Sequence, residues 1–359
     1  MKQSRFVLFD KEMTSIVKGV AIIFMMLLHF HTPGGYDVML DYSHSLYGWH
    51  YMFKICVGMF VFMVGYGYSF ARTKDLAYAV QHIKKLLIPF WVILFVFTLP
   101  VCFRQVMHDD PLTLFYNLFG IDSKYNWYSW FIYFFIYAML VMPFISRQID
   151  KKPVRNTIFV ILASLMLLLA VHEIPRLALL LSGCPMGSVS DYHPIAALFN
   201  CLLYTPALVL GYLFAHQGYY ERLRIDRMSK SVTLVVCLLL IVGVFASRLW
   251  VVAHTNRFQT DNYYAPIIIG AIAVLFNKFK WRFARRFLVK MGELSVSIWY
   301  LHPLFFPESV RWFYQPAILV PGHVGTVALW GMAITTAASW GVKTAVDAIM
   351  RHSKKGSVH

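Results

Sequence analysis

Charge is scarce in this chain. Only 14% of its 359 residues are Asp, Glu, Lys or Arg, and just 17 of those are acidic. An ordinary soluble domain carries about a quarter of its residues charged, so that class is excluded. Cysteine is sparse as well: Cys56, Cys102, Cys184, Cys201 and Cys237 are scattered with no CxxC spacing. Neither a zinc site nor a disulfide framework is signalled, and the five read as small apolar packing residues. No hydrophilic stretch is long enough to fold as a separate soluble domain, and no internal repeat is evident, so a single membrane domain is expected to fill residues 1–359. The first apolar run leads into HTPGGYD rather than a small-residue cleavage site, so it is expected to stay as a helix.

Apolar residues take the place of the missing charge. The sequence is 59% hydrophobic and 17% aromatic, with a mean hydropathy of +0.59. Runs of about 20 mostly apolar residues cross about 30 Å of hydrocarbon. Ten such runs are found, at 14–31, 53–71, 86–107, 126–146, 156–172, 195–215, 231–253, 263–279, 294–314 and 323–346. The expectation is an all-α, polytopic membrane protein of about ten helices.

Basic residues set the orientation, because cytoplasmic loops retain them. With the amino terminus inside, 26 of the 33 basic residues fall on the cytoplasmic side. The outer side receives only Lys54, Arg104, Lys124, Arg176, Arg248, Arg257 and Arg311. Both termini are therefore expected in the cytoplasm. The net charge of +16 follows from short basic loops beside apolar spans, which suit orientation and anionic lipid headgroups rather than nucleic acid. The stretch KFKWRFARRFLVKMG, 278–292, mixes aromatic and basic residues as a helix lying in the headgroup plane does. Two outer loops, 32–52 and 173–194, are rich in Gly, Pro, Asp, His and Tyr and either shape an acceptor pocket or simply connect helices.

Ionisable groups inside a span are expensive and point to function. The first span, SIVKGVAIIFMMLLHFHTPGG, holds Lys18 near one end and His29 near the other. Eleven residues at 100° each return a helix to within about 20° of its starting direction, so the two share a face, separated by about 16 Å along the axis. The pantetheine arm of coenzyme A is of similar length, so Lys18 would meet its phosphates while His29 meets the thioester. The alternative is that Lys18 snorkels to headgroups and His29 bonds a neighbouring helix. Imidazole offers a neutral nitrogen able to take a proton from an attacking hydroxyl. His31, two residues on, points elsewhere.

Five segments in order then resemble the integral-membrane acyltransferase 3 family, over nearly the whole chain. They are Lys18-Gly19 with His29; VGMFVFMVGYGYSFAR with Gly65, Tyr66, Gly67 and Arg72; HIKKLLIPFW with Lys84, Lys85 and Pro89; WFIYFFIYAMLVMP from Trp130 to Pro143; and MGELSVSIWYLHPLF with Gly292, Ser295, Tyr300, His302 and Pro303. The chain departs from the family pattern at Ser15, Lys18, Val64 and Phe135, where the family has Asp, Arg, Ser and Glu. Lysine keeps the charge of arginine but not its bidentate grip on phosphate.

The resemblance implies a bacterial inner-membrane enzyme. It would transfer an acyl group, usually acetyl, from cytoplasmic acyl-coenzyme A, a co-substrate rather than a bound cofactor, to a hydroxyl of a carbohydrate or cell-surface polymer such as an exopolysaccharide. His29 would be the catalytic base, and Lys18, Arg72, Lys84 and Lys85 would attract the polyanionic donor at the inner rim. Arg72, Lys84 and Lys85 also read as orientation signals alone. His302, Ser295 and Trp130 are candidates for orienting a substrate; Ser295, Trp299 and His302 share a helical face. His302 equally reads as a histidine satisfied by a carbonyl that proline leaves free. Glu308, with Arg311, is a weaker acid or base candidate. The rival from another class is a transporter or flippase of lipid-linked saccharides, whose paired helix breaks are not evident here. A non-catalytic assembly protein is a third reading and would have no need of a buried His29.

Overall fold

The computed structural model describes residues 9–30, 50–126, 128–181, 193–223, 228–255, 260–305 and 315–356. Among these residues every regular element is helical. The long helices are α1 (Lys11–Phe30), α2 (Cys56–Ser69), α3 (Leu76–Ile93), α4 (Pro111–Leu118), α5 (Trp130–Lys151), α6 (Pro153–Leu181), α7 (His193–Gln217), α8 (Lys230–Thr255), α9 (Asp261–Lys278), α10 (Arg282–Leu301) and α11 (Val324–Gly356).

Each of the ten apolar runs overlaps a helix, and among the described residues seven helical stretches are long and apolar enough to cross a membrane. They are Lys11–Phe30, Tyr51–Ser69, Leu76–Val101, Trp130–Lys151, Pro153–Val171, Ala196–Gln217 and Lys230–His254. The helices at the last three runs, α9, α10 and α11, fall outside that set. Of the basic stretch 278–292, Lys278 ends α9 and residues from Arg282 onward open α10, which runs unbroken to Leu301. Residues 31–49, 182–192 and 306–314, which hold most of the first outer loop and half of the second together with His31, Glu308 and Arg311, lie outside the described residues.

The chain divides into two compact units. The first gathers Met1–Phe24, Lys54–Ala79 and Tyr137–Glu293. Asp10 caps α1 by accepting from the Met13 N–H at 2.7 Å, satisfying one of the donors a helix start leaves unpaired. Within this unit α2 and α7 meet backbone to backbone. A Cβ built on Gly65 of α2 would lie 1.9 Å from the Leu208 carbonyl oxygen, and one on Gly211 of α7 would lie 2.0 Å from that of Phe62. The two glycines thus let α2 and α7 interlock, the small-residue mode by which helices associate when surrounding lipid is as apolar as their own side chains. At the start of α9, Asp261 receives the guanidinium of Arg248 in a two-pronged pair, Nε to Oδ1 at 2.5 Å and Nη2 to Oδ2 at 2.8 Å, with both side chains almost wholly buried. Arg248, an outer-side charge by sequence, is thereby neutralised inside the protein.

The second unit gathers Met25–Phe53, Val80–Ile136 and Leu294–His359. Here α3 continues through a π-helical segment, Leu94–Thr98, to Val101. Pro111 opens α4, with Asp110 accepting from the Leu112 N–H at 2.8 Å, the arrangement in which proline's missing N–H costs nothing. The loop from α4 to α5 is folded back tightly: Trp91 Nε1 donates to the Leu118 carbonyl at 2.9 Å and the Tyr125 N–H to Asn117 Oδ1 at 3.0 Å. Gly120 has φ +68°, and a Cβ there would lie 2.3 Å from the Ser129 carbonyl oxygen, so only glycine fits.

Candidate active site

In the second unit, His29 near the end of α1 meets the loop before α5 and the end of α10. Its ring centroid is 3.8 Å from that of Tyr128 and 5.2 Å from that of His302, and the Tyr128 and His302 rings are 5.0 Å apart. Three rings thus form one cluster. His302 is fully buried, while His29 and Tyr128 are half-buried.

The backbone explains why His302 sits as it does. In a continuing α-helix the Trp299 carbonyl would accept from the N–H of residue 303, but that residue is Pro303 and has none. The α-helix ends at Leu301 and a single 3-10 turn, His302–Phe305, follows. His302 Nδ1 faces the freed Trp299 carbonyl at 2.7 Å and that of Ile298 at 3.2 Å. Carbonyl oxygens only accept, so Nδ1 carries the proton and, in the neutral ring, Nε2 carries the lone pair. The reading of His302 as a histidine satisfied by a proline-freed carbonyl therefore describes its Nδ1, and Nε2 is the acceptor nitrogen of the neutral ring.

Two further bonds tie the loop before α5 to α10. Trp299 Nε1 donates to the Tyr128 carbonyl at 2.9 Å, and Asn126 Nδ2 to the Tyr300 carbonyl at 3.0 Å. Trp299 also packs on Phe131 at 4.6 Å, with Trp130 at 6.5 Å. Ser295, Trp299 and His302 are 4%, 4% and 0% exposed, whereas Val296 is 36% exposed, so the expected shared face is the buried one. The structure brings His29, His302, Trp299 and Trp130 into one neighbourhood. Tyr128 was missed by sequence reasoning, although its signal was present in the aromatic run YNWYSW that leads into α5.

Lys18 lies in the first unit. It is half-buried, within electrostatic reach of the Glu293 carboxylate, and Glu293 also pairs with Lys290 at 3.3 Å. The neighbouring Gly19 meets α10: a Cβ there would lie 2.1 Å from the Leu288 carbonyl oxygen, and one on Gly292 would lie 1.9 Å from that of Ser15. Glu12 and Arg285 add an ion pair at 2.9 Å. Ser15, in the place of the family's aspartate, therefore presents its backbone to Gly292 and bonds its hydroxyl to the Lys11 carbonyl at 3.2 Å. Tyr66, between Gly65 and Gly67, donates to Glu221 Oε1 at 3.2 Å. Arg72 follows α2 in the first unit, and Lys84 and Lys85 lie on α3 in the second; all three are exposed. Among the described residues no group of three or more His, Cys, Asp or Glu is placed to hold a metal ion.

The arrangement offers a half-exposed imidazole braced by a phenol ring and a second, buried imidazole of fixed tautomer, which suits proton transfer. No curated protein and no solved structure matches the chain. The family profile described as an acyltransferase domain, acyltransferase 3, matches residues 15–343. That stretch takes in the Lys18-Gly19 crossing, the His29 cluster and the His302-Pro303 turn, and the chain belongs to the acyltransferase 3 family.

Proposed function

We propose that this membrane acyltransferase moves an acyl group, acetyl in the simplest case, from acyl-coenzyme A to a hydroxyl of a carbohydrate or cell-surface polymer. His29 takes the proton of the acceptor hydroxyl as its oxygen attacks the thioester carbonyl. The C–S bond breaks, the coenzyme A thiolate leaves, and the proton held on His29 returns to it, so the imidazole ends the cycle neutral. Lys18, Arg72, Lys84 and Lys85 attract the donor's phosphates from the cytoplasm. Ser295, Trp130 and His302 belong to the surroundings that orient the substrates. The chain crosses a bacterial inner membrane ten times with both termini inside, an arrangement supported by the distribution of its basic residues.

The observation that carries this reading is the contact of the His29 ring with Tyr128 and His302. It gives an ionisable side chain of an apolar helix a defined polar neighbourhood rather than a lipid-facing one. The test is turnover of acetyl-coenzyme A by the purified protein in micelles, for the unaltered chain, His29→Ala and Lys18→Ala. The expected result is loss of turnover with His29→Ala and a raised KM at unchanged kcat with Lys18→Ala. Undiminished turnover in a folded His29→Ala protein overturns the role of His29.

A further inference from the structure

The first unit contains an apolar cleft between α7, α8, α9 and the turn after α7. Its free volume is 570 Å³, within the range of about 300–1,000 Å³ typical of small-molecule sites. Phe214, Cys237, Leu240, Ile267 and Ala271 line its length. Two of the four hydroxyls on its wall are engaged, Tyr220 donating to the Pro266 carbonyl at 2.6 Å and Thr233 to the Ser229 carbonyl at 2.8 Å; the other two belong to Tyr219 and Tyr263. A lining so largely apolar suits hydrocarbon better than a sugar.

Its dimensions and its charged end narrow the occupant further. The α9 residues on the wall run from Tyr263 to Val274, about 16 Å of helix, close to the hydrocarbon depth of one leaflet, about 15 Å as half of the bilayer core. At the Val274 end the wall includes Met228 and Tyr219, and each carries a cation. Lys278 Nζ donates to the Met228 carbonyl at 2.6 Å, and the Arg222 guanidinium lies 5.7 Å from the centre of the Tyr219 ring. Glu221, the acid of that turn, accepts from Tyr66 through Oε1.

We infer that this cleft holds one acyl tail of an anionic phospholipid, its headgroup phosphate against Lys278 and Arg222. The site takes its lipid from the surrounding bilayer. It is independent of the acyl-transfer reading, since none of its lining residues is among those assigned to that reaction.

The test is photolabelling of the full-length protein in micelles by phosphatidylglycerol with a diazirine near the end of one tail, the labelled peptides being mapped by mass spectrometry. Phosphatidylcholine with the same tails is the comparison. The expected label concentrates on peptides of α7, α8 and α9, favours phosphatidylglycerol, and is abolished by Cys237→Trp, which fills the cleft. Lys278→Ala is expected to lower labelling about fivefold, the effect of one basic residue at an anionic lipid surface. Ala271→Leu serves as a second, smaller filling variant if Cys237→Trp does not fold, as judged by melting and gel filtration. Label spread evenly over the apolar helices, equal label from the two lipids, or undiminished label in a folded filling variant overturns the proposal.

Discussion

The rings of His29 and His302 stand 5.2 Å apart with their planes 29° from parallel, and the tautomer of the second is set by two carbonyls. Removing the first imidazole is expected to lower turnover by about 10²- to 10⁴-fold, the usual contribution of a positioned acid or base. Initial rates of acetyl-coenzyme A turnover by His29→Ala check it; a loss below tenfold contradicts the role.

Tyr128 separates a ring effect from a hydroxyl effect. Tyr128→Phe retains the ring 3.8 Å from His29 and is expected to keep most activity. Tyr128→Ala removes the brace and is expected to lower kcat by about a hundredfold, the order of loss that a misplacement near 1 Å produces. Equal losses in the two variants would assign the effect to the hydroxyl instead.

Glycines of the family motif are expected to split into two behaviours. Gly19→Ala drives a methyl into the Leu288 carbonyl, whereas a Cβ on Gly67 meets nothing within 4 Å. The first change is expected to destabilise by about 1–3 kcal/mol, as overpacking does. Gly67→Ala is expected to stabilise α2 by up to about 1 kcal/mol. Thermal melting in micelles gives the sign of both, and a Gly19→Ala protein as stable as the parent would refute the tight crossing.

Breaking the Arg248–Asp261 pair leaves one buried charge unanswered, since the side chains are 0% and 3% exposed. Arg248→Met is expected to cost about 3–5 kcal/mol. The double variant Arg248→Met, Asp261→Leu, which removes both charges, is expected to recover much of it. Tm values of the three proteins check this; a double variant no more stable than the single one speaks against the pair.

One pH response is expected outside the helical spans. Lys124 donates to Asp109 Oδ1 at 2.7 Å and Tyr125 to its Oδ2 at 2.8 Å. The Lys124 hydrogen bond, first among several causes, holds the Asp109 carboxyl below its usual range, and the same carboxylate pushes the already desolvated Tyr125 phenol upward. A depressed acid contributes stability that is full above its unfolded pKa, about 3.9, and is lost as pH falls through the lower folded value. Hydrogen exchange of the 109–125 segment is therefore expected to be steady at neutral pH and to quicken below about pH 4. Asp109→Asn is expected to abolish that dependence, and a parent with no acid-induced change would contradict the assignment.

Much of this was legible in the sequence because lipid imposes its own length and composition on a helix. The ten apolar runs, the helix carrying Lys18 and His29, and the common face of Ser295, Trp299 and His302 all follow from hydropathy and the 3.6-residue period. Other features were hidden by their dependence on partners distant in sequence. Gly19 and Gly292 become informative only when α1 and α10 are seen to cross, because a glycine does not state which backbone approaches it. Tyr128 lies in a turn without periodicity and is held by Trp299, 171 residues away. The charges of 278–292 stand out in the sequence, but they give no sign that the helix they open continues through Gly292 to Leu301. For His302, sequence supplied both a proline and a histidine, and the carbonyl that joins them needed coordinates.

The crossing of α1 and α10 at Ser15, Gly19, Leu288 and Gly292 has a mechanical corollary. With main chains in contact there, neither helix can slide by a turn or roll about its axis without a steric collision. The segment bearing Lys18 thus behaves as a fixed post during turnover. Any movement that admits reactants or releases products would then take place away from this crossing.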